Sequence, residues 1–192
     1  MESAAKRFFG ASHYGVVGAN SDPNRFGYKG PSERHRSAGL ELSETTMQRW
    51  TDSPALSPSL RPVFAWYLQR GIPVTPVTPS AAQVTVGAES FATIATVGEL
   101  PHERVSLSLI TPPPVTARIL GEASKAGVWG VWLQPGTYDE STLKLLQEDD
   151  WWEGRWVAGE DGASRGHGGW CVLVDGDRVH NAAAQGETHG RL

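Results

Sequence analysis

Two periods of apolar residues alternate along this chain. The run His13-Tyr-Gly-Val-Val-Gly-Ala-Asn20 passes from bulky apolar residues to small polar ones, which predicts a short buried strand ending in a turn. Val105-Ser-Leu-Ser-Leu-Ile110 and Val128-Trp-Gly-Val-Trp-Leu133 predict two further strands, each followed by a turn that contains proline. Residues 72–79 are rich in β-branched side chains but hold three prolines, so they predict a short strand running into a loop, unsuited to the middle of a sheet. Trp170-Cys-Val-Leu-Val174 predicts a last strand.

Between these runs the spacing becomes helical. Val115, Ile119, Leu120 and Ala123 predict a helix over residues 114–126 with Gly127 as its C-cap, and Leu143, Leu145 and Leu146 predict another over 138–148. Strands alternating with helices imply an α/β fold: a Rossmann-like, doubly wound and mainly parallel sheet, with ligands at the carboxyl ends of the strands.

Residues 30–62 break the pattern, being polar and rich in Ser, Pro and Arg where the first crossover helix should begin. Without them, Phe26-Gly-Tyr-Lys29 joins Val63-Phe-Ala-Trp-Tyr-Leu-Gln-Arg-Gly71, an amphipathic helix closed by glycine. We therefore expect a single domain over 1–192 carrying an insertion at 30–62: a loop, a lid over the ligand edge, or retained non-coding sequence. Leu40, Leu42, Met47 and Trp50 within it fit a short helix.

Composition narrows the function classes. With 39% hydrophobic and 20% charged residues the chain has the make-up of an ordinary globular protein. Its net charge of −4 argues against a general affinity for nucleic acid or anionic membranes. One cysteine, Cys171, excludes an intramolecular disulfide and any zinc site built on several thiolates, and fits a reducing, cytoplasmic setting. No run is apolar enough to span a bilayer, and the opening residues 1–6 are short and weakly amphipathic.

The candidate chemistry gathers on the turn Gly18-Ala-Asn-Ser-Asp-Pro-Asn-Arg-Phe-Gly27. Small residues let backbone approach an anion, and a helix N-terminus is expected to follow; Arg25 and Lys29 add charge. The second strand ends Val77-Thr78-Pro79-Ser80 without the acidic residue that holds an NAD ribose, or an arginine for NADP, which weakens a dinucleotide role.

Other residues favour plainer roles. His167, in a glycine-rich approach to the last strand, reads first as a loop histidine and second as a proton carrier or phosphate contact. Cys171 reads as a buried small hydrophobe, Glu148-Asp149-Asp150 as a solvated surface without a metal, and Trp151, Trp152 and Trp156 as packing ahead of a partner surface.

Four stretches in order, Tyr14 to Lys29, Val74-Thr-Pro-Val-Thr-Pro79, Thr111-Pro-Pro113 and Val131-Trp-Leu-Gln-Pro-Gly136, give the chain a resemblance to the CoA-binding domain family. That family includes small stand-alone proteins and the N-terminal domain of succinyl-CoA synthetase α subunits. The resemblance implies coenzyme A as cofactor, with Gly18, Ala19, Asn20 and Lys29 at its phosphates, on a turn that includes Arg25 and Gly27. It places Val77, Thr78 and Pro79 beside the adenosine, and Thr111, Pro112, Gln134 and Gly136 along the rest of the edge. Asn20 stands where a serine is usual.

The resemblance supports binding rather than acyl-CoA synthesis, since the chain has no second domain to present a phosphorylated histidine. The expected function is a CoA or acyl-CoA binding protein, non-catalytic by itself, working alone, with a protein partner or as a homo-oligomer. Two alternatives stay open: a small enzyme acting on a thioester at the same edge, with His167 as proton carrier and Gln134 orienting substrate, or a degenerate NAD(P)-type fold serving as an interaction protein.

Overall fold

The computed structural model describes residues 1–18, 61–101, 103–159, 164–165 and 168–189. Among them, five strands form one parallel sheet: β1 (His13–Val17), β2 (Val74–Val77), β5 (Val105–Leu109), β6 (Gly130–Leu133) and β7 (Trp156–Val157), in the order β2-β1-β5-β6-β7. An antiparallel hairpin, β3 (Gln83–Val86) and β4 (Glu89–Ala92), follows β2. Five helices are described: α1 (Glu2–Phe9), α2 (Arg61–Gln69), α3 (Pro113–Lys125), α4 (Glu140–Glu148) and α5 (Val172–His189).

Alternation along the strands sorts side chains to two faces, because successive Cβ atoms of a strand point oppositely. Val17, Leu107, Leu109, Val131 and Leu133 pack with Ile119, Leu120 and Ala123 of α3 and Leu146 of α4. Tyr14, Val16 and Trp132 pack on the other face with Phe8 and Phe9 of α1, Phe64 and Tyr67 of α2, and Val172 and Val179 of α5. Helices thus cover both faces of the sheet, as the alternating pattern predicts. Gly15 makes room for this packing: a Cβ on it would lie 2.8 Å from Leu107 Cδ2 and 3.0 Å from Leu100 Cδ1, and those side chains would have to shift.

The proline-rich strand takes the place open to it. β2 is the edge strand of the sheet, paired with β1 on one side and met on the other by an isolated bridge from Ile94, so Pro76 removes no ladder bond from a central strand. Gly71, with φ +62°, and Gly127, with φ +69°, end α2 and α3 as expected, and their N–H groups donate to Leu68 O and Ser124 O.

Three expectations are corrected. The run Trp170 to Val174 is not a strand: α5 starts at Val172. The Cys171 carbonyl accepts from both Val174 N and Asp175 N, and the Cys171 N–H donates to Asp175 Oδ2, 3.1 Å away. Val172 and Val179 are spaced to face the same layer, and that burial outweighs the β-propensity of the run. The fifth strand is instead β7, two residues long and ending the tryptophan-rich stretch.

The opening residues 1–6 are also more than weakly amphipathic. They belong to α1, whose Ala4, Ala5, Phe8 and Phe9 are buried. Finally, α2 starts at Arg61, inside the segment read as an insertion; residues 30–60 lie outside the described residues. Among the described residues, no helix is long and apolar enough to cross a membrane.

Candidate functional site

In a sheet of this order the chain leaves β1 toward β2 on one side and later returns to β5 on the other. The crevice between the carboxyl ends of β1 and β5 is therefore the expected ligand position. Gly18 and Thr111 occupy it. Gly18 has φ +100°, and a Cβ on it would lie 2.8 Å from Thr111 Cγ2 and 3.2 Å from the Ile110 carbonyl. Only glycine allows the β1 turn to close on β5 in this way.

Backbone bonds tie the strand ends into one rim. Gly18 N–H donates to Val77 O, Ile110 N–H to Val17 O and Gln134 N–H to Leu109 O, at 3.0–3.1 Å. Val77, Thr78, Gly18, Thr111 and Gln134 are thereby brought to one edge. Pro79, Pro112 and Gly136 are exposed on it, and nothing lies within 4 Å of where a Gly136 Cβ would stand. The Val77 side chain is turned into the core, so its backbone is what reaches the rim. Ala19, Asn20, Arg25, Gly27, Lys29 and His167 lie outside the described residues.

The hydroxyls on this rim are already engaged. Thr116 Oγ1 donates to the Thr111 carbonyl at 3.0 Å, so the 2.7 Å contact between the two hydroxyls has Thr111 as donor. Thr111 Oγ1 thus retains lone pairs but no proton for a ligand. Thr78 Oγ1 pairs with Ser80 Oγ at 2.8 Å.

The N-terminus of α3 is similarly short of donors. Pro112, Pro113 and Pro114 have no N–H, and the next two amides, of Val115 and Thr116, both donate to Pro112 O. That helix end presents a positive dipole without amides for an anion, a surface suited to an apolar or acceptor group.

Gln134 differs. Its side chain is 5% exposed, and Oε1 accepts from Val172 N–H at 3.1 Å, in the first turn of α5. Since that amide needs an acceptor, the orientation of the carboxamide is determined, and Nε2 is buried with no partner among the described residues. A buried NH₂ carrying two protons and no acceptor is costly, about 1–3 kcal/mol. Thr137 holds the turn beneath it, donating through N and Oγ1 to Gln134 O at 3.0 and 2.7 Å.

The approach of α5 to this rim was not visible in the sequence, where Cys171 read as part of a strand. Cys171 is buried, as expected, but it immediately precedes a helix whose start is held by Gln134. Asp175, four residues on and bonded to Cys171 N–H, was the available sign of a helix start.

A family model described as CoA binding domain matches residues 57–160, more than half of the chain. The chain belongs to the CoA-binding domain family. The match takes in β2, β5 and β6 with their carboxyl ends, hence Val77, Thr78, Pro79, Thr111, Pro112, Gln134 and Gly136; Gly18 and His167 lie outside it. No curated protein matches this CoA-binding domain.

Solved structures share its fold. A hypothetical protein from Pyrococcus horikoshii OT3 superposes with a TM-score of 0.52 at 18% identity, covering 93% of this chain and 92% of that one. The structure of cell-free ID.343 from Thermus thermophilus superposes with a TM-score of 0.53 at 21% identity, covering 90% and 93%.

Proposed function

We propose that this chain binds coenzyme A or an acyl-CoA at the carboxyl edge of its sheet and, by itself, catalyses no reaction. The observation that carries the reading is the amide of Gln134, which has no partner among the described residues and lies inside the family match, at the rim where a doubly wound fold takes its ligand. Coenzyme A suits the donors and acceptors present. Its pantetheine arm is rich in amide carbonyls, which Gln134 Nε2 can satisfy, and in amide N–H groups, which the lone pairs of Thr111 Oγ1 can accept. Its phosphates fall to the turn Gly18, Ala19, Asn20 and Lys29 with Arg25 and Gly27, and its adenosine to Val77, Thr78 and Pro79. Pro112 and Gly136 border the arm.

What the described part of the rim offers a ligand is contact. The described residues assigned to this rim supply backbone, hydroxyls and one carboxamide, and none of their side chains titrates near neutral pH.

Gln134→Glu separates structure from binding. The carboxylate still accepts from Val172 N–H, at a helix N-terminus that favours negative charge, but it has lost the two donor protons. Burial of the carboxylate is expected to lower the unfolding temperature, and at temperatures where the variant is folded it should bind CoA at least about tenfold more weakly by calorimetry. A variant that binds CoA as tightly as the parent contradicts the assignment.

A further inference from the structure

The opposite edge of the sheet carries a second site. Arg104, Trp129 and Arg155 immediately precede β5, β6 and β7, three neighbouring parallel strands, so the topology sets them side by side at the amino edge. The connection is short and hydrogen-bonded: Trp129 N–H donates to Val105 O at 2.6 Å and Val131 N–H to Arg155 O at 2.8 Å. From α1, Arg7 joins them. Its guanidinium carbon stands 4.0 Å from the centre of the Trp129 ring, that of Arg104 4.7 Å from it, and that of Arg155 4.8 Å from the Trp151 ring. Arg7 Nε donates to Trp129 O and Trp129 Nε1 to Arg7 O, at 3.2 and 2.8 Å, which locks the pair together.

Two guanidiniums share the Trp129 ring and a third, on Trp151, is close enough for its charge to act on Arg7. None of the ion pairs found among the described residues uses Arg7, Arg104 or Arg155, although Glu103 and Glu153 stand nearby in the chain with exposed side chains. Burial, and then the charges of Arg155 and Arg104, hold the Arg7 guanidinium below its ordinary value. Arg104 also has φ +51°, the only positive φ outside glycine among the described residues. Side chains adopt that conformation at a cost, and such residues gather at functional sites. In a chain of net charge −4, this concentration of positive charge is local.

Arg7 Nε is spent on Trp129 O, but its two terminal nitrogens, and the forks of Arg104 and Arg155, are shaped to take oxyanions two oxygens at a time. We propose that Arg7 and Arg104 on the Trp129 ring, with Arg155 from the next strand, form a phosphate-binding site at the amino edge of the sheet, distinct from the CoA edge, that takes the phosphate or pyrophosphate group of a small molecule. An anion there offsets the mutual repulsion of three like charges and gives Arg104 a reason for its backbone.

The test is calorimetry and thermal unfolding of the full chain with inorganic phosphate and pyrophosphate, at ionic strength matched with chloride. Saturable binding that raises the unfolding temperature is expected. Arg104→Gly removes one fork while relieving the positive φ. It is expected to bind pyrophosphate at least about tenfold more weakly and to unfold at the same or a higher temperature. Arg155→Ala is expected to weaken pyrophosphate similarly and to leave CoA binding unchanged. The proposal is overturned if neither anion shows saturable binding. It is also overturned if both variants bind like the parent, including binding that CoA displaces, which belongs to the opposite edge.

Discussion

Gly18 and Gln134 shape the carboxyl edge, the proposed CoA edge, in different ways. At Gly18 the constraint is steric: a side chain would meet Thr111 and the Ile110 backbone at φ +100°. Gly18→Ala should lower stability by about 2 kcal/mol or more, measured by denaturant unfolding. At Gln134 the carboxamide oxygen holds α5, and its nitrogen, without a partner among the described residues, is the donor we propose for the ligand. Gly18 was legible in the sequence because a glycine directly after an apolar strand marks a tight turn. Gln134 was named only through the family resemblance, and its bond to Val172 was not legible at all, since it depends on where a helix 38 residues away packs.

Elements whose period agreed with their burial were legible, and those ruled by packing were not. The strands at Val105 and Val128 and the helix after Pro112 carry clean patterns. α5 does not, since its first turn is β-branched and apolar, and its helical form depends on packing against α1 and α2 and on the bond from Gln134. Gly176 lets it approach α2: a Cβ there would stand 2.6 Å from Trp66 Cζ2. Gly176→Ala should therefore destabilise by about 1–3 kcal/mol, despite alanine's better helix propensity. Such a loss is readable as a lower midpoint in urea.

α4 illustrates a local signal with a pH consequence. Asp139 caps it, accepting from Thr142 N–H at 2.9 Å, and its carboxyl is held below the ordinary value of 3.8, first by the Ser141 hydroxyl and then by Thr142 N–H. Because the folded pKa is the lower one, the stabilisation is present at neutral pH and is lost as pH falls through and below the carboxylate range. Asp139→Ala should lower the unfolding temperature at pH 7, with the difference from the parent shrinking as pH approaches 3. A difference that stays constant with pH contradicts this capping account.

At the scale of the whole molecule, helices on both faces leave the two sheet edges for chemistry: the carboxyl edge closed by Gly18 and Thr111, and the amino edge lined by Arg104, Trp129 and Arg155. The doubly wound order that separates them was legible from alternating periods, whereas the arginine cluster was not, because its members are far apart in sequence. We propose that the segment read as an insertion at 30–62, up to the start of α2 at Arg61, interrupts a single domain, on its polar, Ser-, Pro- and Arg-rich sequence. Deleting residues 30–60 to join Lys29 to Arg61 should leave cooperative unfolding and CoA affinity intact; a loss of affinity on deletion would identify the segment as part of the site.

The most direct test of the central claim is calorimetric titration of the purified full chain with CoA and acetyl-CoA. Saturable binding with one ligand per chain is predicted. The absence of binding heat with CoA, acetyl-CoA and longer thioesters, over temperatures at which the protein stays folded, would contradict the claim.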